Sequence, residues 1–232
     1  MATDVPTRLV EATVRLLADE GPSAVKARTV ASASGLSTMV VYSHFGGVPE
    51  LLDAVIVEGF RRLAEDFSRL PATDDPVADL CSLALTTRRH AHANPHLYDL
   101  MFGLSKRATY RPAREQCRAS GDKSTAARGT WQHLVAACAR LVASGRVHPH
   151  DPDELAGQLW SMVHGFVTLE LSDHFAEFDD PVSSVLLPLG THLVVGLGDD
   201  PARARASHER AAQRMGARVR ESAGQLADDR SR

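Results

Sequence analysis

The chain has 232 residues and an apolar fraction of 44%, enough for a buried core in one large or two small domains. Its formal net charge is −3, which neither favours nor excludes nucleic acid as a partner. Three widely spaced cysteines argue against a disulfide framework or a zinc site and favour a reducing compartment. Because neither a signal sequence nor a membrane-spanning apolar run is recognisable, we expect a cytoplasmic protein without a membrane partner.

Apolar residues recur at helical spacing along most of the chain, and short alternating β-branched runs typical of strands are absent. The sequence therefore predicts an all-α protein. Glycine and proline signals divide the pattern into predicted helices at 6–20, 26–34, 37–44, 48–69, 76–93, 96–104, 122–145, 151–175 and 182–197. Residues 105–121 are polar and irregular, which predicts a loop with at most a short helix.

Residues 26–45 have the pattern of a helix-turn-helix. Ala31 is small where two helices must nearly touch, and Gly35 follows where the chain must turn. Ser37 is a natural N-cap for the second helix, whose polar N-terminal side chains could then enter the major groove of DNA. Three apolar residues are spaced to point inward from both helices: Val30, Leu36 and Val41.

The flanking residues extend this pattern. An amphipathic helix ends at Gly21 before the motif, and Tyr42-Ser43-His44-Phe45 leads after it through two glycines into Glu50-Leu51-Leu52. In combination, residues 6–60 resemble the N-terminal domain of TetR-type transcriptional regulators. The resemblance implies a three-helix DNA-binding domain within residues 1–47, with Phe45 in its core.

The candidate DNA contacts lie at the start of each helix of the motif and along the second one. Serine and threonine hydroxyls can bond bases or phosphates, and Met39 could pack on a thymine methyl group. The family resemblance implies phosphate contacts for Tyr42 and His44, although Tyr42 could instead pack on the domain and His44 could serve as a cap. The full set is Lys26, Arg28, Thr29, Ser37, Thr38, Met39, Tyr42, Ser43 and His44.

Two features depart from the family pattern. Val48 stands where a phosphate-binding lysine usually begins the fourth helix, and Lys26 stands where a threonine or serine usually precedes the second. Residues 1–69 carry seven Lys/Arg against nine Asp/Glu, a net charge of −2. Since phosphate neutralisation supplies much of the affinity for DNA, the few cations must concentrate on one face.

A second motif, Trp160-x-x-x-His164-Gly165, resembles the Trp-His-Gly subclass of TetR-type C-terminal domains, and the resemblance extends over residues 80–197. It implies a homodimer in which helices 151–175 and 182–197 of each subunit form a four-helix bundle. Glycines would permit close approach, and apolar residues would supply the contact, unless they belong to the chain's own core. These residues are Gly165, Gly190, Gly196, Phe166, Leu169, Leu186, Leu189, Leu193 and Val194.

The same resemblance implies a small-molecule effector whose binding releases the operator. Aromatic, methionine and histidine side chains in the C-terminal helices are the candidate pocket, which would be largely apolar, or else ordinary core. They are Tyr98, Met101, Phe102, Trp131, Trp160 and His164. We accordingly expect an effector-binding and dimerisation domain over residues 48–198. Residues 199–232 have eight arginines, six acidic residues and few large apolar ones, which predicts a polar tail, disordered or partly helical.

Two other classes of function are alternatives, and the first of them, an enzyme, is not predicted. An enzyme would need a recognisable chemical motif, and no phosphate loop, nucleophile elbow or Cys-x-x-Cys pair is present. His90 and His92 lie two residues apart on a predicted helix and point in different directions, so we predict neither a metal site nor a cofactor. The alternative function is a helical coregulator or adaptor that keeps the fold and does not bind specific DNA.

Overall fold

The computed structural model describes residues 4–103 and 121–230, and the regular elements in these ranges are all helical, which confirms the all-α prediction. The α-helices are α1 (Val5–Glu20), α2 (Ala27–Ser34), α3 (Thr38–Phe45), α4 (Val48–Ser68), α5 (Pro76–Ala93), α6 (Pro95–Phe102), α7 (Gly121–Ala143), α8 (Pro152–Leu171), α9 (Leu187–Gly196) and α10 (Pro201–Arg230). A 3-10 turn at Pro22–Ala24 precedes α2, and a π-helical turn at Val182–Leu186 precedes α9. No single helix in the described ranges is long and apolar enough to cross a membrane; α3 and α4 pass that test only as a pair bent by 70°.

Most helix ends lie within two or three residues of the predicted ones. The exceptions are the start of α9, where Val182–Leu186 form the π-helical turn, and the end of α8. The helix stops at Leu171 instead of 175 because Asp173 adopts the left-handed conformation, with φ of 58°. The His174 amide then donates to the Leu169 carbonyl at 3.0 Å, which closes the helix end. The predicted loop at 105–121 lies outside the described residues apart from its last position, where α7 begins.

The described residues form two compact units. The first unit takes its residues from Met1–Asp66 and Arg89–Trp131, and the second from Phe67–Arg88 and Gln132–Arg232. Each unit therefore draws on two separate stretches of sequence. The division of the chain after residues 47 and 198 stays a prediction.

In the first unit, α1 to α4 bury one apolar face each. Asp4 caps α1 by accepting a hydrogen bond from the Thr7 amide at 3.2 Å, and Gly21 ends the helix with φ of 78°. The core cluster consists of Leu9, Leu16, Val30, Ala31, Val41 and Leu51. Phe45 packs against this cluster, as the sequence predicts.

Helix α6 packs against α1 and α4 within the same unit. The Asn94 side chain accepts a hydrogen bond from the Leu97 amide at 3.0 Å and donates to the Val14 carbonyl at 3.2 Å. At Gly59 on α4, a Cβ atom would lie 2.6 Å from the Met101 sulfur, so only glycine allows this approach without a shift of the Met101 side chain. A segment from the middle of the chain thus completes the unit that contains the helix-turn-helix.

In the second unit, the C-terminal segment is helical, which is one of the two alternatives that its polar composition allows. Helix α10 runs from Pro201 to Arg230, and Ala204, Ser207 and Ala211 in its first turns are buried. At Gly190 on α9, a Cβ atom would lie 2.6 Å from the imidazole of His208, so α9 and α10 approach closely. Small side chains allow this close packing, although the segment contains few large apolar residues.

A buried ionic cluster also holds α10 in place. The guanidinium of Arg146 lies 2.6 Å from Asp75 and 2.5 Å from Asp199, and it donates to the Ser207 hydroxyl at 3.1 Å. Burial by itself raises the pKa of Asp75, but its hydrogen bonds, foremost that from Arg210, lower the pKa below its ordinary value. These ion pairs join residues that are far apart in the sequence. Amino-acid composition alone therefore does not predict them.

Replacing Arg146 with glutamine should lower the free energy of unfolding by about 3 kcal/mol, because it leaves buried carboxylates short of a counter-charge. Arg203→Gln is the matched control. Arg203 also pairs with Asp199, but its side chain is 51% exposed, so its loss should cost less than about 1 kcal/mol. Urea denaturation followed by circular dichroism measures both, and equal losses would contradict a special role for the buried guanidinium.

Candidate functional site

The turn between α2 and α3 is built as the sequence predicts. Gly35 adopts the left-handed conformation with φ of 66°. Its amide donates to the Ser32 carbonyl at 3.1 Å, and the Leu36 amide donates to the Ala31 carbonyl at 2.9 Å. These two bonds form a Schellman motif, and the Arg8 guanidinium adds a bond to the Ser34 carbonyl at 2.7 Å. The helix-turn-helix is therefore fixed by backbone bonds as well as by its core.

Helix α3 separates an inner from an outer face. Val41 is fully buried, whereas Met39 is 73% exposed and Tyr42 is 52% exposed. Ser37, Ser43 and His44 are also exposed, and Thr38 is half-buried. Every candidate contact on α3 thus lies at least partly in solvent, and Tyr42 is not packed into the core.

The two serines on this surface differ in what their hydroxyl groups bind. Ser37 occupies the N-cap position of α3 without a side-chain capping bond, so its hydroxyl is not consumed by the helix. The Ser43 hydroxyl donates to the Val40 carbonyl at 3.1 Å within α3. Ser37 is therefore better placed than Ser43 to bond an external group.

At the start of α2, Lys26 and Arg28 are exposed, and Thr29 is half-buried. The Thr29 hydroxyl accepts a hydrogen bond from the Lys26 amide at 3.1 Å and lies within hydrogen-bonding distance of the Ala24 and Lys26 carbonyls. Thr29 thus shapes the first turn of α2, while Lys26 and Arg28 carry the positive charge there.

The arginines of α4 are less available to an anion. Arg61 and Arg62 both bond to Glu58, with N···O distances of 2.6 Å, and Arg61 also pairs with Glu65. The hydrogen bond from Arg61 is the main reason why the pKa of Glu58 is lowered. These side chains neutralise one another, so the cations at the start of α2 matter more than a residue count suggests.

A separate candidate site is an apolar cavity of about 50 Å³ within the second unit. Trp160 and His164, two of the candidate ligand-binding residues, line it, and their ring centroids lie 4.2 Å apart. Aliphatic side chains from α5, α8 and α9 form much of the remaining wall. Burial lowers the pKa of His164 to about 4, which keeps the imidazole neutral near pH 7.

The other four candidate ligand-binding residues do not line this cavity. Tyr98 is fully buried in the first unit, where its ring lies 4.7 Å from that of Phe102. Phe102 makes an edge contact with Phe60 at 5.4 Å, and Met101 covers Gly59. Trp131 also belongs to the first unit. In the structure, Tyr98, Met101 and Phe102 pack with residues of the first unit.

Several cavity residues have no signal in the sequence. Thr87 lies in an ordinary helical stretch, and His208 lies in the segment predicted as a tail. Cys81 also lines the cavity, and burial raises the pKa of its thiol to about 12. His208 could have been found only if α10 had been recognised as packed helix.

The predicted dimer residues fall into two groups. Leu169 and Leu189 are 43% and 42% exposed, and Gly165 and Gly196 are also exposed. Phe166, Leu186, Gly190 and Val194 are buried, and Leu193 is half-buried. Among the predicted dimer residues, the exposed glycines and leucines of α8 and α9 therefore remain accessible to a second subunit. The buried residues belong to the chain's own core.

The described histidines are not grouped in the geometry of a metal site. Within residues 4–103 and 121–230, no three His, Cys, Asp or Glu side chains are grouped as a metal ion would require. The His96 ring packs over Gly21, and the His148 ring packs over Gly198.

Two family models match the chain. Residues 9–55 match the model for bacterial regulatory proteins of the tetR family, and residues 80–187 match the model for the C-terminal domain of tetracyclin-repressor-like proteins. Together the two segments cover more than half of the chain and include the helix-turn-helix and Trp160, His164 and Gly165. The chain therefore belongs to the TetR family of transcriptional regulators. Its assignment to the Trp-His-Gly subclass stays a prediction.

Curated relatives match only part of the chain. The HTH-type transcriptional regulator Rv1816 of Mycobacterium tuberculosis (strain ATCC 25618 / H37Rv) is 30% identical over 104 residues, which are 43% of this chain and 44% of that protein. The HTH-type transcriptional regulator Mb1846 of Mycobacterium bovis matches with the same values. The match thus spans less than half the length of these relatives.

Solved structures share the fold at low sequence identity. A protein of unknown function from Rhodococcus sp. RHA1 has a TM-score of 0.71 at 23% identity, over 85% of this chain and 97% of that one. RolR in complex with resorcinol has a TM-score of 0.62 at 17% identity, over 88% and 93%. The fatty acid degradation regulator FadR from Bacillus halodurans has a TM-score of 0.64 at 14% identity, over 86% and 100%. At these identities the likeness concerns the fold alone.

The imidazole of His164, whose Nε2 atom is buried, should make stability depend on pH. Its folded pKa of about 4 lies below the ordinary value of 6.5, so the unfolded chain binds its proton more tightly. The histidine's contribution is complete above pH 6.5 and is lost as the pH falls towards 4, at up to about 1.4 kcal/mol per pH unit. His164→Phe should flatten this slope in unfolding measurements between these pH values. An unchanged slope would contradict the burial of a neutral imidazole.

Proposed function

We propose that this chain is a repressor that binds operator DNA as a homodimer and is released by a small, largely apolar effector. The observation that carries the proposal is the arrangement of α3. Its apolar residue Val41 is fully buried, while hydroxyl-bearing and soft side chains at its N-terminal end face solvent. A helix presented in this way suits the major groove.

The proposed contacts follow from exposure. Ser37 and Thr38 would bond bases or phosphates, and Met39 would pack on a thymine methyl group. Tyr42 and His44, further along α3, would reach the phosphate backbone. Ser43 is exposed beside them, but its hydroxyl already bonds within the helix.

Lys26 and Arg28 would supply the electrostatic part of binding. Both are exposed at the start of α2, where the helix dipole also favours an anion. Thr29 would act by holding this turn, because its hydroxyl is engaged with the Lys26 amide. A dimer doubles each contact, which offsets the low positive charge of one subunit.

The exposed apolar surface on α8 and α9 supports dimerisation. Leu169 and Leu189 leave large side chains in solvent, and Gly165 and Gly196 have open space where a Cβ would stand. A second copy of the same surface would bury these leucines, while the glycines permit close helix approach. A twofold axis would then present two α3 helices to successive major grooves, roughly 34–36 Å apart.

The cavity of the second unit is the proposed effector site. Cys81 and Thr87 on α5 line it, and α5 leads in sequence through Asn94 into α6. In the first unit, α6 packs on α1 and α4 through Asn94 and Met101. An effector that binds more tightly when α5 and α6 are displaced would therefore favour a conformation unable to hold the operator.

The second candidate is a coregulator or adaptor that does not bind specific DNA. Its support is electrostatic, since residues 1–69 have a net charge of −2 and the first turn of α4 offers Val48 and Glu50 in place of a lysine. Direct measurement of DNA binding separates the two candidates.

Arg28→Ala should weaken binding to the DNA upstream of the chain's own gene by about tenfold, because one phosphate contact is lost from each subunit. The plot of log affinity against log salt should become shallower by about two for the dimer. Arg15→Ala is the control, since Arg15 is an exposed arginine on α1 outside the proposed contacts. Absence of salt-sensitive binding by the unmodified chain would favour the adaptor.

Leu169→Arg should convert the dimer to monomer, because two positive charges would meet at the proposed symmetric interface. Since Leu169 is exposed in the single chain, the substitution should leave the helical content unchanged. Met39→Arg, at an even more exposed apolar residue, should leave the dimer intact. Analytical ultracentrifugation measures both, and a dimer that survives Leu169→Arg would place the interface elsewhere.

A further inference from the structure

The side chains that line the cavity of the second unit carry no formal charge. None of them is an aspartate, glutamate, lysine or arginine. Nearby charged groups on α5 are already paired, since Arg88 bonds Glu170 at 2.8 Å and Asp79 bonds Arg140 at 2.5 Å. A carboxylate or phosphate in this cavity would lose its hydration without meeting a free counter-charge, which is strongly unfavourable.

Two polar groups of the wall, on Thr87 and His208, offer lone pairs. The hydroxyl of Thr87 donates its only hydrogen to the Leu83 carbonyl at 3.0 Å, so its oxygen can only accept a further bond. His208 Nδ1 lies 2.8 Å from the Ala204 carbonyl. Because a carbonyl oxygen can only accept, Nδ1 must carry the proton, and in the neutral ring Nε2 is left as an acceptor.

The position of His208 brings this acceptor close to Gly190 on α9. Its Nε2 is the atom nearest to the Cβ position of Gly190, at 2.6 Å, and both residues line the cavity. Burial is the main reason why the pKa of His208 is lowered, which favours the neutral ring near pH 7. The wall therefore presents acceptors from both α5 and α10.

The volume limits the size of the ligand. About 50 Å³ holds only a few water molecules, at roughly 10–15 Å³ each, so a ligand larger than a single ring would need the wall to open. Met162 and Trp160 are half-buried wall residues, and the flexible methionine side chain can yield.

Resting on the effector site proposed above, we infer that the ligand is a compact, uncharged apolar molecule that donates a hydrogen bond from a hydroxyl group. The oxygen of Thr87 is the acceptor for that hydroxyl, since a hydroxyl has a single hydrogen to donate. Carboxylates and phosphates of the same size are excluded by the uncharged wall.

Three probes that share a p-methylphenyl group test this inference by calorimetric titration of the full chain at pH 7.5. They are p-cresol, which donates a hydrogen bond; 4-methylanisole, which only accepts; and p-toluate, which is anionic. We expect p-cresol to bind about tenfold more tightly than its methyl ether. We expect p-toluate to bind at least about a hundredfold more weakly than p-cresol.

Adjacent threonines provide a matched pair of variants. Thr87→Val removes a wall acceptor and should lower the preference for p-cresol over the ether by about fivefold. Thr86→Val changes a fully buried threonine that does not line the cavity, and it should leave the preference unchanged. If Thr87→Val does not fold by circular dichroism, Thr87→Ala serves the same purpose.

The outcomes separate this inference from the proposed function. Equal binding of p-toluate and p-cresol, equal binding of the ether, or no binding of any probe overturns the ligand class. DNA binding by the ligand-free chain is measured independently. Binding of p-cresol by a chain that does not bind DNA would support the ligand class and reject the repressor.

Discussion

The left-handed turn at Gly35 is the constraint on which the proposed DNA surface depends. With φ of 66°, the glycine lets the backbone reverse within a few residues and close two hydrogen bonds onto the end of α2. A side chain here would be strained by the backbone conformation itself. Because Val30 and Val41 are then fully buried between the helices, the orientation of α3 is set by packing. The exposure of Ser37, Met39 and Tyr42 follows from that orientation.

Charge and apolar surface are separated in the second unit. Arg146 gathers Asp75, Asp199 and Ser207 into one buried cluster, and Arg88 and Arg140 pair with carboxylates elsewhere. The cavity wall is left with neutral groups alone. Such a division lets α10 be anchored by ion pairs without placing a charge against a ligand. It also means that the chemistry of the cavity is set by burial and hydrogen bonding, since even its histidines are held neutral.

The two sites make different demands on the chain. The α3 surface needs side chains that stay in solvent and gain their partners only from DNA, so its residues contribute little to the fold. The cavity needs side chains that pack well and leave only a small space, so its residues contribute to both stability and selectivity. In the proposed mechanism α6 couples effector binding to DNA binding, because Asn94 and Met101 hold it against α1 and α4, the helices that support α3.

The sequence by itself determined the helical fold, the helix-turn-helix and its inward-facing residues, because each depends on local spacing and on glycine at one turn. It also singled out Trp160 and His164, which lie four residues apart in one motif, as candidate pocket residues. Only the tertiary structure decided which aromatic residues share a wall. Tyr98 and Phe102 have the composition of a ligand pocket, yet they pack in the first unit, whereas Thr87 and His208 reach the cavity from distant helices. Only the tertiary structure showed that the C-terminal segment forms the packed helix α10. The contacts that order α10 are long-range ion pairs and small-residue packing, and neither leaves a periodic pattern in the sequence.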